Sequence, residues 1–156
     1  ADPTQAKRSL YARLKASLPS NSPPQTLLFE AFFEGFRSAV PNLPALLPEV
    51  WLHWDPRTVK ERGPEALLRF RMDFLLLLPQ GVRVVIEVDG KHHYADANGS
   101  ADVQRYAQMV KADRELKLAG YEVFRFGAAE LQVPTAKADV KTFFEALFKR
   151  YGVPAT

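Results

Sequence analysis

Residues 67–93 read LLRFRMDFLLLLPQGVRVVIEVDGKHH, and the fold is decided there. Two runs, residues 67–78 and 82–91, are separated by the turn residues Pro79, Gln80 and Gly81, which predicts a β-hairpin. The even positions Leu68, Phe70, Met72, Phe74, Leu76 and Leu78 on the first run, and Val82, Val84, Ile86 and Val88 on the second, are all apolar. Side chains alternate across a strand, so these form a core face. The odd positions Arg69, Arg71 and Asp73, with Glu87, Asp89 and Lys91, place charge on the opposite face, expected to be an exposed one. A three-residue loop pairs Leu78 with Val82, which sets Asp73 opposite Glu87 and Arg71 opposite Asp89. Two carboxylates facing each other across a ladder destabilise it, and a bound cation reverses the sign of that effect.

Outward from the hairpin, prolines and glycines mark the other elements. Leu10, Leu14 and Leu18 repeat at four among Lys7, Arg8, Arg13 and Lys15, predicting a basic amphipathic helix over residues 4–18 that stops at Pro19. A second helix opens at Pro24 and runs through Phe32 to Val40, with Glu30 and Glu34 stacked on one stripe. Residues 49–54 read as a short strand among prolines. Residues 101–119 have helical spacing, with Ser100 as N-cap and Gly120 as stop. Residues 121–126 then read as a strand returning parallel to an earlier one by a right-handed crossover. Val140, Phe143, Phe144, Leu147 and Phe148 form the apolar face of a last helix over residues 137–151.

At 156 residues, 47% hydrophobic and 25% charged, the chain suits one folded domain and is too apolar for a disordered tail. We expect a single domain over residues 1–156, with 1–20 as a basic helical extension and 21–156 as the α/β core. The absence of cysteine excludes disulfides, zinc–thiolate sites and thiol nucleophiles. The longest apolar run, residues 74–79, falls far short of the ~20 residues that span a bilayer, so no membrane role and a cytoplasmic location are expected. A net charge of +3 permits contact with a polyanion without requiring it. The chain opens Ala1-Asp2-Pro3 with no initiating methionine, and reads as a piece of a longer or processed protein.

Asp73, then thirteen residues, then Ile86-Glu87-Val88-Asp89-Gly90-Lys91-His92-His93, then a helix with Lys111-Ala112-Asp113-Arg114 and the strand Tyr121-Glu122-Val123-Phe124-Arg125-Phe126, resemble the PD-(D/E)XK nuclease superfamily. The string is most similar to small proteins related to very-short-patch-repair endonucleases, and the likeness covers roughly residues 67–131. It implies a restriction-endonuclease-like α/β fold, with a mixed sheet of about four strands flanked by helices. It also implies a divalent-metal-dependent (Mg2+ or Mn2+) endonuclease or deoxyribonuclease. In that frame Asp73 and Glu87, with the Val88 carbonyl, hold the cation, and nucleic acid is the partner, DNA before RNA. Met72 stands where the family has proline, and Asp89 where it has lysine. A carboxylate cannot donate to phosphate, so the missing cation is expected from Lys91, on the same strand face, or from Lys111.

Around that catalytic set of Asp73, Glu87, Asp89 and Lys91 lie secondary candidates. Glu30 from the preceding helix can join the metal, with Glu34 fitting almost as well. His93 shares the carboxylate face, Gln104 reaches toward a phosphate, and Arg69 and Arg71 contact nucleic acid. Asp113 and Arg114 are expected to orient their helix against the sheet through an ion pair. Each has a structural reading beside it: Glu30 and Glu34 as a solvated stripe, Asp73 and Glu87 as a surface pair bridged by Arg71. The rival function is a nuclease-like fold without catalysis, serving as a nucleic-acid- or protein-binding module in a larger assembly. A metal-dependent phosphodiesterase of small molecules is the other.

Overall fold

The computed structural model describes residues 2–39, 42–51, 71–90 and 100–154. Within them the order is α1 (Pro3–Ala16), α2 (Pro23–Gly35), β1 (Leu46–Trp51), β2 (Arg71–Leu77), β3 (Arg83–Asp89), α3 (Val103–Leu118), β4 (Tyr121–Gly127) and α4 (Ala136–Arg150). The strands form one mixed sheet in the order β1-β2-β3-β4, flanked by helices, so the chain is an α/β fold. β1 and β2, like β2 and β3, are antiparallel, and β3 and β4 are parallel.

The hairpin closes as its sequence requires. Leu78 N donates to Val82 O at 2.9 Å across a single 3-10 turn, Pro79–Gly81. Gln80 and Gly81 both take positive φ there, 59° and 76°, the left-handed pair that lets a short loop follow the twist of its strands. At the other end of the crossover, α3 terminates at Gly120 with φ 85°, and a Cβ at that position would stand 3.0 Å from Arg83 Nη2. That guanidinium caps the helix by donating to Ala119 O at 2.9 Å.

The even-numbered face of the hairpin is core. Phe74, Leu76, Val84 and Ile86 are fully buried against Phe29, Phe32 and Phe36, which come from α2 and the residue after it, and against Phe144 and Phe148 of α4. The Phe32 and Phe144 rings lie 4.6 Å apart at their centroids. Truncating one of these rings to Ala is expected to cost about 3–5 kcal/mol. Tyr11, Leu14 and Leu18 lay the N-terminal segment on the same core, and Tyr11 stacks on Phe29 at 5.4 Å.

The middle of the odd-numbered face, at Asp73, Val85 and Glu87, is buried, in contrast to the expectation. Val85 and Leu116 of α3 form a second, smaller core with Leu75, Tyr121 and Val123 packed against it. Met72, although even-numbered, joins this second core instead of the first. The crossover from β3 to the parallel β4 is the cause, since it must lay α3 across one face of the sheet. α3 begins at Asp102 rather than Ser100: Asp102 Oδ1 accepts from Gln104 N at 3.0 Å and Arg105 N at 3.1 Å. The second helix ends at Gly35, short of Val40, and a 3-10 turn, Arg37–Ala39, follows it. Strand β1 starts three residues before its predicted position, at Leu46.

Candidate functional site

Register lines four polar side chains up across the four strands. Pro48 pairs with Phe74 and Val50 with Met72, which sets Glu49 against Asp73. The β2–β3 ladder runs from Leu77↔Arg83 to Phe74↔Ile86, so Asp73 comes next against Glu87. Glu87 is the ladder partner of Arg125 on β4. Three carboxylates and a guanidinium thus follow one another across the four strands, and Arg125 reaches α3 from this row.

Asp73 and Glu87 are buried, 7% and 9% exposed, which removes the surface-pair reading of them. Hydrogen-bonded pairs alternate along an antiparallel ladder, and counting from Leu78 and Val82 the amide of Val88 should donate to Met72. It donates instead to Asp73 Oδ2 at 2.8 Å. Regular pairing has ended at Phe74, and the carboxylate takes the place of the next carbonyl. The C=O of Val88 points to the same edge of β3 as its N–H, so it too faces β2 at the level of Asp73.

Burial pushes the Glu87 carboxyl up to about 8, and the charges of Asp73, Asp89 and Asp113 push the same way against the pull of Arg125. Near neutral pH, Glu87 therefore holds a proton.

Arg125 occupies the centre of the α3 side. Its Nε donates to Asp113 Oδ1 and Oδ2 at 3.1 and 3.0 Å, and Nη2 to Asp113 Oδ1 at 2.6 Å. Nη1 donates to Asp89 Oδ1 at 2.7 Å. The fork geometry of a guanidinium satisfies two carboxylates at once, which an ammonium would not do. Asp113 does orient α3 against the sheet, and its partner is Arg125 instead of its neighbour Arg114. Arg125 was visible in the quoted strand but not singled out; the signal was register, because a parallel β4 brings it beside Glu87.

The remaining candidates separate. Arg71 does not reach Asp89; its Nε pairs with Glu49 Oε2 at 3.1 Å, because β2 has left its ladder with β3 while still paired with β1. Glu30 is held by Lys15 at 2.8 Å and Glu34 by Lys137 at 2.8 Å, the stripe of a helix surface. Gln104 sits in the exposed first turn of α3, and Lys111 is a surface residue 3.9 Å from Glu115. Lys91, His93 and Arg69 lie outside the described residues.

Among the described residues, no three histidine, aspartate or glutamate side chains converge closely enough to hold a metal by themselves. Asp73, Glu87 and the edge carbonyl of Val88 nevertheless suit a hard divalent ion. All are oxygen donors, two are carboxylates buried side by side, and one of these is protonated for want of a sufficient counter-charge. No helix among the described residues is long and apolar enough to cross a membrane. No protein-family model, curated protein or solved structure matches the chain, so the site is read from its own geometry.

Proposed function

We propose that the chain is a divalent-metal-dependent nuclease that hydrolyses phosphodiester bonds of nucleic acid, DNA before RNA. The observation that carries this reading is the burial of Asp73 beside Glu87, where the second carboxyl is driven up to about 8. A pair that only stabilised the fold would gain by losing one of its acids, since like charges in a low-dielectric setting repel. Asp73, Glu87 and the Val88 carbonyl are the groups that hold the cation. A divalent ion bound there supplies Lewis acidity, lowering the pKa of a bound water and offsetting charge on a phosphate.

The protein's own contribution is order and charge. Asp73 is held through Oδ2 by the Val88 amide, and its second oxygen is the one it would offer a cation. Glu87 must give up its proton before it can act as a ligand, so metal uptake releases a proton near neutral pH. Arg125, fixed by Asp113, holds Asp89 in place and limits the negative field on Glu87.

The test is incubation with supercoiled, linear and single-stranded DNA and with RNA, each with magnesium, manganese or chelator. Cleavage of a nucleic acid that stops with chelator and is absent in Glu87→Gln supports the proposal. Binding without cleavage in every metal would favour the non-catalytic module, and cleavage of small phosphodiesters alone would point to the third reading.

A further inference from the structure

We propose that the cleft between α1 and α2 binds a nucleoside phosphate, its base against an apolar wall and its phosphate on Lys7, Arg8 and Arg37. The site is separate from the pair Asp73 and Glu87 and does not depend on the nuclease reading.

The cleft has a volume of about 540 Å3, in the range of small-molecule sites and far more than an inorganic anion fills. Leu10 and Tyr11 of α1, Phe33 of α2, and Leu43 ahead of β1 give it an apolar lining. Lys7 and Arg8 of α1 and Arg37 of the turn after α2 line it as well, against one acid, Glu34. That acid is already satisfied, since Lys137 of α4 donates to its Oε2 at 2.8 Å. Neither Arg8 nor Arg37 has an ion-pair partner among the described residues. The Lys7 ammonium donates to Leu43 O at 2.8 Å, which holds it at the lining with one of its three N–H groups used. The basic residues of α1 are therefore divided. Lys15 fastens the helix to α2 through Glu30, while Lys7 and Arg8 belong to the cleft.

Three cations beside aromatic and aliphatic side chains select an anion with a flat apolar body. Two guanidiniums and an ammonium suit the oxygens of a phosphate, and a nucleobase offers a π-face to an aromatic wall. An aliphatic phosphate has the charge without that face, and inorganic phosphate leaves the apolar lining uncovered. Ala45, also in the lining, precedes the pair Leu46↔Leu76 near the closed end of the hairpin, whereas Glu49 stands at the level of Asp73. Four residues of strand put roughly 13 Å between those levels, so the two sites can be tested apart.

Equilibrium dialysis of the full chain against AMP and against ATP, in chelator, tests the proposal, with adenosine, inorganic phosphate and octyl phosphate as competitors. Both nucleotides should bind saturably at one per chain, and each competitor should be weaker than AMP by about tenfold or more, because none supplies both base and phosphate. Arg8→Gln and Arg37→Gln should each weaken AMP by about fivefold or more. Arg13→Gln, which removes an exposed charge of α1 outside the lining, should leave binding unchanged; circular dichroism checks that each variant is folded. An equal loss in Arg13→Gln and Arg37→Gln would show attraction to the basic helix without a site, and overturns the proposal. Octyl phosphate competing as well as AMP would show a site for apolar anions and overturns the choice of a nucleotide. Absence of saturable binding of either nucleotide overturns it outright, and each of these failures leaves the reading of Asp73 and Glu87 standing.

Discussion

Glu87 of β3 and Arg125 of β4 are ladder partners, yet the guanidinium bonds to neither oxygen of Glu87 and reaches Asp89 and Asp113 instead. Arg125 thus steadies the surroundings of Glu87 without neutralising it, and the acid remains protonated near neutral pH.

That division of labour makes Arg125 hard to replace. Arg125→Ala takes the guanidinium away from the carboxylates of Asp89 and Asp113, only 12% and 23% exposed. A loss of about 3 kcal/mol is expected, visible as a lower chemical-denaturation midpoint. Arg125→Lys keeps the charge but not the fork, and should recover part of the stability while α3 stays loosely docked. Equal stability of the two variants would show that charge alone matters there.

The raised Glu87 value sets a pH dependence for the metal-free protein. Folded Glu87 keeps its proton up to about 8, whereas an unfolded glutamate loses it near 4.5. The folded state therefore binds more protons between those values, and its stability should fall as pH rises from about 5 to about 8. Thermal melts in chelator should show this slope, and Glu87→Gln should flatten it. Magnesium or manganese at millimolar concentration should restore the melting temperature most strongly at the alkaline end, where the proton competes least.

Lys111 offers a check on where the missing cation is. The side chain is 68% exposed and lies 3.9 Å from Glu115 on its own helix, a surface pair of little energetic weight. Lys111→Ala should leave stability within about 0.5 kcal/mol and cleavage near the wild-type rate. A loss of turnover above tenfold in single-turnover assays would show that this helix swings over the site.

Much of this arrangement was legible in the residues themselves. Alternation and a Pro79–Gly81 loop were enough for the hairpin and its register, because one slip would have turned Phe74 and Ile86 out of the core. Asp73, Glu87 and Asp89 followed from the same count. What alternation does not encode is which elements cover the other face, so the burial of Asp73 and Glu87 was missed. Pairings made by long side chains were missed for a related reason. Arg71 had an acid within reach on either neighbouring strand, and only the end of the β2–β3 ladder at Phe74 decides for Glu49.

The tie between Asp73 and Val88 separates the structural from the chemical role of that acid. Asp73→Ala strands the buried Val88 amide, which should destabilise by about 1–3 kcal/mol, offset in part by the relief of repulsion on Glu87. Asp73→Asn can still present an oxygen to that amide and has no charge to repel Glu87. The asparagine variant should therefore be at least as stable as the wild type in chelator near pH 8, and the alanine variant less stable than the asparagine one. Both should lose the metal-linked rise in melting temperature and any metal-dependent cleavage, since neither has a carboxylate to offer. Calorimetry of the three proteins with and without manganese reads both effects together. A full metal response in Asp73→Asn would mean that the cation does not use this carboxylate, and would leave Asp73 as a strand-end acceptor for Val88.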